Sequence, residues 1–74
     1  MNNFPSKEVV ESIRKRYPVG SRVELLHMND PQAPTIGTIG TVIGVDDIGS
    51  IMVRWSNDSS LSVVYGEDSC RVVE

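Results

Sequence analysis

The apolar period of this chain changes once, at Tyr17-Pro18-Val19-Gly20. Before that point Val9, Val10, Ile13 and Tyr17 recur at helical spacing and form a single stripe. After it, apolar residues alternate with polar ones or with glycine at a period of two, in short runs separated by turn residues. One short helix followed only by short strands confines the chain to a mainly β fold. Its 74 residues leave room for one small domain, and a domain of that size buries a small core.

The spacing predicts a helix over Ser6–Arg16. Ser6 is a capping residue, Glu8 and Glu11 lie near the start, and Arg14, Lys15 and Arg16 crowd the end, an order that complements the helix dipole. Pro18 stops the helix, because it disfavours helical geometry in the residue before it.

Five strands are expected beyond Gly20. In Arg22–Met28, Val23, Leu25 and His27 share one face and Glu24, Leu26 and Met28 the other. A stiff loop follows over Asn29–Thr35, with Pro31 and Pro34 in it. Thr38–Val45 sets Ile39, Thr41, Ile43 and Val45 against Gly40, Val42 and Gly44. Asp46-Asp47-Ile48-Gly49 reads as a tight turn whose glycine takes positive φ. Ile51, Val53 and Trp55 line one face of the next strand, and Ser56–Ser60 is a polar turn. Leu61–Val64 and Cys70–Val73 complete the set, with a corner at Gly66–Ser69. Sheets this short cannot leave an apolar face open, so closure into a small bent barrel over residues 20–74 is expected, preceded by a helical arm over 1–19. Gly37, Gly40 and Gly44 suit the sharp coiling of such a barrel.

Charge excludes some partners. The formal net charge is −3, with four bases against two acids in residues 1–20 and three bases against eight acids in residues 21–74. That balance lacks the electrostatic footprint of a duplex-binding protein, and it is too mild for a nucleic-acid mimic. A lone cysteine, Cys70, cannot form an internal disulfide and most simply packs as a small hydrophobe. Met1–Ser6 has no basic or apolar signal-peptide pattern, and the most apolar run, Thr41–Val45, is too short to cross a membrane. The expected compartment is the cytoplasm.

Candidate chemistry is sparse. His27 is the only histidine, with Asp30 three residues on, and the many serines make a chance pairing uninformative. A rim or partly buried histidine is the simpler reading, so no catalytic residue is assigned. One Cys and one His, far apart, do not form a zinc site, and Asp46, Asp47, Asp58, Glu67 and Asp68 lack calcium-loop spacing. No metal and no cofactor are expected. Gly37-Thr38-Ile39-Gly40 has the outline of a nucleic-acid-clamping loop but falls at a strand start, without flanking lysines. Arg14-Lys15-Arg16 is the only basic cluster, and it reads more simply as a solvated helix end.

The run Tyr17-Pro18, Gly20, Arg22-Val23-Glu24-Leu25, Met28, Asp30-Pro31, Ala33-Pro34, Gly37-Thr38, Gly40-Thr41-Val42, Gly44-Val45-Asp46-Asp47, Gly49, Ile51, Val53, Trp55 resembles a family of small domains of unknown function. That family occurs in Gram-positive bacteria, their phages and their conjugative elements. The resemblance spans roughly residues 17–73 and implies an SH3-like barrel and a mobile-element setting, with no catalytic residues. The stretch from Gly40 to Trp55 is more weakly similar to the strand–turn–strand core of mind-bomb-type modules. After Trp55 the family places an acidic residue and a glycine, whereas this chain has Ser56-Asn57-Asp58.

The functional expectation is therefore a non-catalytic binding module with a protein partner, in that setting a host defence or restriction component. His27, Met28, Asp30, Pro31, Pro34, Trp55 and Tyr65 are the candidate groove, of the kind that takes up peptides on small barrels. For Trp55 the favoured reading is a plug of the barrel core that ends the Ile51–Val53 stripe, while for Tyr65 groove and core are balanced. A second expectation is sequestration of a small phosphate-bearing nucleotide, with Arg22, Arg54 and Arg71 as phosphate contacts. A third is weak nucleic-acid binding through Arg14, Lys15 and Arg16. Short edge strands and the apolar helix stripe also permit a homodimer.

Overall fold

A computed structural model describes residues 5–73 of the chain. Helix α1 spans Lys7–Arg16. Ser6 stands at its N-cap with extended backbone, and its hydroxyl accepts the Val9 N–H at 3.2 Å, satisfying one of the donors a helix start leaves free. The helix ends at Tyr17, whose N–H donates to the Ile13 carbonyl at 2.9 Å. Its stripe faces inward: Val10 and Ile13 are buried, and Val9 and Tyr17 pack half-buried against the core.

Four antiparallel strands form one sheet: β1 (Arg22–His27), β2 (Ile39–Val45), β3 (Ile51–Trp55) and β4 (Ser69–Val72), in the order β3-β2-β1-β4. The class is mainly β, as the alternation requires. The five-stranded closed SH3-like barrel expected from the sequence is not what forms: the sheet is open, with β3 and β4 at its edges.

The missing strand has a local cause. Of Leu61–Val64, only Val63 pairs with β3, exchanging hydrogen bonds of 2.9 and 2.8 Å with Ile51. The next rung of an antiparallel ladder would set the Leu61 backbone opposite Val53. Instead the Leu61 carbonyl accepts the Trp55 indole N–H at 2.9 Å, and its N–H turns to the Ser59 hydroxyl at 3.4 Å. On the other side of Val63, the Val64 N–H donates to Asp68 Oδ2 at 2.9 Å. Both neighbours are drawn into turns, so pairing stops after one bridge.

Two bulges reassign the faces. A register shift between Leu25 and His27 inserts one residue into β1, and an inserted residue exchanges inside for outside beyond it. Met28 is therefore buried with Val23 and Leu25, while His27 is exposed. This corrects the expected grouping of His27 with Val23 and Leu25. A second shift between Val42 and Gly44 leaves Ile43 exposed and turns Val45 back against the core.

The core joins Val23 and Leu25 of β1, Val42 of β2, Ile51, Val53 and Trp55 of β3, and Cys70 of β4, with Ile13 closing it from the helix. Up to its bulge, β2 contributes Gly40 and Val42 to this side and not Ile39 and Thr41. Gly40 is the register partner of Trp55. A Cβ on Gly40 would come within 2.7 Å of Trp55 Cε3 and would overlap Val53 Cγ1.

Side chains fix the turns. Asp46 Oδ1 accepts the N–H groups of Ile48 (3.1 Å) and Ser50 (2.8 Å), and Gly49 closes the β2–β3 hairpin with φ of +82°. In the turn after Trp55, Asn57 Oδ1 accepts the Ser59 N–H at 3.0 Å, and Asp58 adopts left-handed backbone with φ of 71°. Arg14 ties α1 to the first hairpin, donating to the Val45 carbonyl from Nε (3.3 Å) and Nη2 (3.2 Å) and to Asp47 Oδ1 at 3.0 Å.

Gly40→Ala is expected to destabilise the fold by about 1–3 kcal/mol, the usual cost of overpacking a tight core contact. The urea midpoint measures it, and an unchanged midpoint would mean that Trp55 does not lie against β2.

Candidate functional site

The residues grouped as a groove do not converge. Trp55 is 1% exposed, and its only ring donor is satisfied by Leu61, so it belongs to the core. Met28 and Pro34 are buried as well, whereas His27, Asp30 and Pro31 are exposed. Asp30 is a turn former, its Oδ1 accepting the Gln32 N–H at 2.7 Å. Neighbours in a strand face opposite sides, and the bulge in β1 decides which is which, turning Met28 into the core and His27 to solvent. His27 and Ser69 are cross-strand partners at that bulge, both exposed, with no hydrogen bond between imidazole and hydroxyl.

Tyr65 lies in a different place, a cleft of about 140 Å³ between the C-terminal half of α1 and the β2–β3 hairpin. Ile13, Ile51, Val63 and Cys70 line its apolar floor, and Tyr17 and Tyr65 also line it. Tyr65 is half exposed. The Tyr17 hydroxyl donates to the Cys70 carbonyl at 3.4 Å, bridging the helix end to β4. Gly49 keeps the cleft compact from the hairpin side: a Cβ there would stand 3.2 Å from Ile13 Cδ1 and 3.6 Å from Tyr65 Cβ. Arg16 joins the lining, its guanidinium 5.7 Å from the centre of the Tyr17 ring, within the range of a cation–π contact. Phe4, the remaining aromatic residue, lies outside the described residues.

Tyr17 and Arg16 are members of this cleft that the sequence reading placed elsewhere, one in a helix stripe and one in a basic run. The available signal was their position: the last turn of an amphipathic helix, just before a proline, is where a stripe residue can reach past the core edge.

The basic candidates separate by their engagements. Arg14 is held by Val45 and Asp47, while Lys15 and Arg16 are exposed. Arg22, Arg54 and Arg71 share the outer face of the sheet, away from the core. Arg71 is paired there with Glu24, its cross-strand partner, through contacts of 2.9 Å from Nε and 2.7 Å from Nη2. Among the described residues, no three His, Cys, Asp or Glu side chains gather in a way that could hold a metal ion. The acids serve the chain itself: Asp68 accepts the Asn29 N–H on Oδ1 and the Val64 N–H on Oδ2, each at 2.9 Å, tying the proline loop to the final corner.

The thiol on the cleft floor is chemically quiet. Burial pushes the Cys70 thiol up to about 11 from 9.0, which leaves it protonated at neutral pH and a poor nucleophile.

A family model described as "Domain of unknown function (DUF4314)" matches residues 6–73, and the chain belongs to that family. The match begins at the helix cap, so the family's span takes in the helix, which the resemblance over residues 17–73 did not include. No curated protein matches the chain. Among the described residues, no helix is long and apolar enough to cross a membrane.

Because the Cys70 pKa is raised in the folded state, its contribution to stability is complete below about pH 9 and is lost as pH rises towards about 11. Alkylation at pH 8 is expected to run about a hundredfold slower on the native chain than in urea, following the thiolate fraction. Equal rates in the two conditions would place the thiol outside the core.

Proposed function

We propose that the protein is a non-catalytic binding module that holds a protein partner by seating one apolar side chain in the Tyr17–Tyr65 cleft. The observation that carries this reading is the cleft's size. Small-molecule sites occupy about 300–1,000 Å³, whereas this one measures about 140 Å³ with an apolar floor. That volume suits a single anchor residue. Tyrosine and arginine are also the residues that dominate binding energy at protein interfaces, and the cleft brings together Tyr17, Tyr65 and Arg16. An arginine already lying near a tyrosine ring offers a forked donor to a carboxylate on the partner.

The same size argument speaks against sequestration of a nucleotide in this cleft. The engagement of Arg14 with the hairpin leaves the basic helix end two free cations, which weakens the nucleic-acid reading. In the mobile-element setting that the sequence resemblance implies, the partner is a host protein, and a defence or restriction component is the foremost kind.

Tagged full-length chain and its Tyr65→Ser and Arg16→Glu variants, each incubated with host lysate, provide the test. A stoichiometric partner is expected on the wild type, with binding weakened by about tenfold or more in both variants at unchanged melting temperature. No stoichiometric partner under several salt conditions, or one held equally by Tyr65→Ser, would overturn the assignment.

A further inference from the structure

The sheet face opposite the cleft carries a pair of positive charges in register that no acid among the described residues compensates. Thr41 in β2 is the direct partner of Arg22 in β1 and of Arg54 in β3. Directly opposed residues of neighbouring strands project to the same face, so the three side chains form one row across three strands. Strand spacing sets the two arginine Cα atoms roughly 10 Å apart, with the Thr41 hydroxyl between them. Both arginines are exposed, and neither has an ion-pair partner among the described residues. Glu24 and Arg71, also on this face, neutralise each other.

We propose that Arg22, Thr41 and Arg54 form an anion site for the dianion of a phosphate monoester. Two guanidinium forks and a hydroxyl on one row supply the kinds of donor that a tetrahedral oxyanion takes up. Charge matching selects the class. The row offers two positive charges, and a phosphate monoester carries about −1.5 to −2 at pH 7. A phosphodiester strand would need the basic track to continue, but the next row is the neutral Glu24–Arg71 pair, and the chain as a whole carries −3. Among the described residues this face presents no aromatic ring for base stacking: its other side chains along β2 and β3 include Ile39 and Met52, and Trp55 points into the core. Arg71, grouped with the other two by sequence, is excluded because Glu24 already occupies it. The site is independent of the Tyr17–Tyr65 cleft, which lies on the core side of the sheet.

The test is titration of the full-length chain at low ionic strength with inorganic phosphate, adenosine monophosphate, a phosphoserine peptide and an oligothymidylate, read at the backbone amides of Thr41 and Arg54 by NMR. Saturable shifts are expected with the three monoester or free-phosphate probes, and the relative affinities among these arms identify the source of the group. Arg22→Gln or Arg54→Gln is expected to weaken binding by about fivefold or more, and the double variant to abolish it. Because the second phosphate ionisation lies at about 6, affinity for phosphate is expected to fall between pH 7.5 and 5.5 while that for sulfate holds. No saturable shift, shifts that survive the double variant, or tighter binding of the oligothymidylate per phosphate group would each overturn the proposal.

Discussion

The packing of Trp55 against Gly40 organises the rest of the molecule. Trp55 is the largest fully buried side chain, and its register partner on β2 is a residue with no side chain to displace. Removing a buried tryptophan typically costs about 3–5 kcal/mol, a large share of the roughly 5–15 kcal/mol that holds a domain folded. The contact commits β2 to present Gly40 and Val42 inward, which places Ile39 and Thr41 on the outer face. It also sets where the indole N–H points. By drawing in the Leu61 carbonyl, the ring ends the pairing of the Leu61–Val64 segment after a single bridge and leaves the sheet open.

Much of this was legible from residue order. The helix and its Ser6 cap, the hairpin closed by Gly49, and the Ile51–Val53–Trp55 stripe all follow from local rules of capping, positive φ and alternation. What escaped was any feature that depends on one residue more or less. Strict alternation put His27 inside and Met28 outside, and the bulge between Leu25 and His27 exchanged them. Alternation also counted Leu61–Val64 as a strand, because it weighs side chains and cannot see a carbonyl captured by a distant indole. The candidate site inherited both errors. A groove assembled from His27, Met28, Pro34 and Trp55 needed all four at one surface, and three of them are buried. Tyr65 found its neighbours in Tyr17 and Arg16, which lie far from it in sequence and meet it only through the docking of α1.

That docking gives the helix a functional meaning. Ile13 fills the core from one side, Arg14 ties the helix to the Val45 carbonyl, and the Tyr17 hydroxyl reaches the Cys70 carbonyl. Three contacts of different chemistry hold one helix end in place, so the cleft beside it is preformed and a partner meets little ordering cost there. Acidic residues are spent on turns: Asp46, Asp68 and Asp30 each accept backbone N–H groups. The fold thus divides its labour, with carboxylates holding loops and the tyrosine–arginine corner and outer arginine row left for contact.

The placement of the ring is open to direct measurement, since Trp55 is the only tryptophan in the chain. The native protein is predicted to emit at blue-shifted wavelengths, to resist acrylamide quenching, and to show a slowly exchanging indole proton. Red-shifted emission that acrylamide quenches as readily in the native state as in urea would contradict it, and with it the assignment of the sheet's two faces.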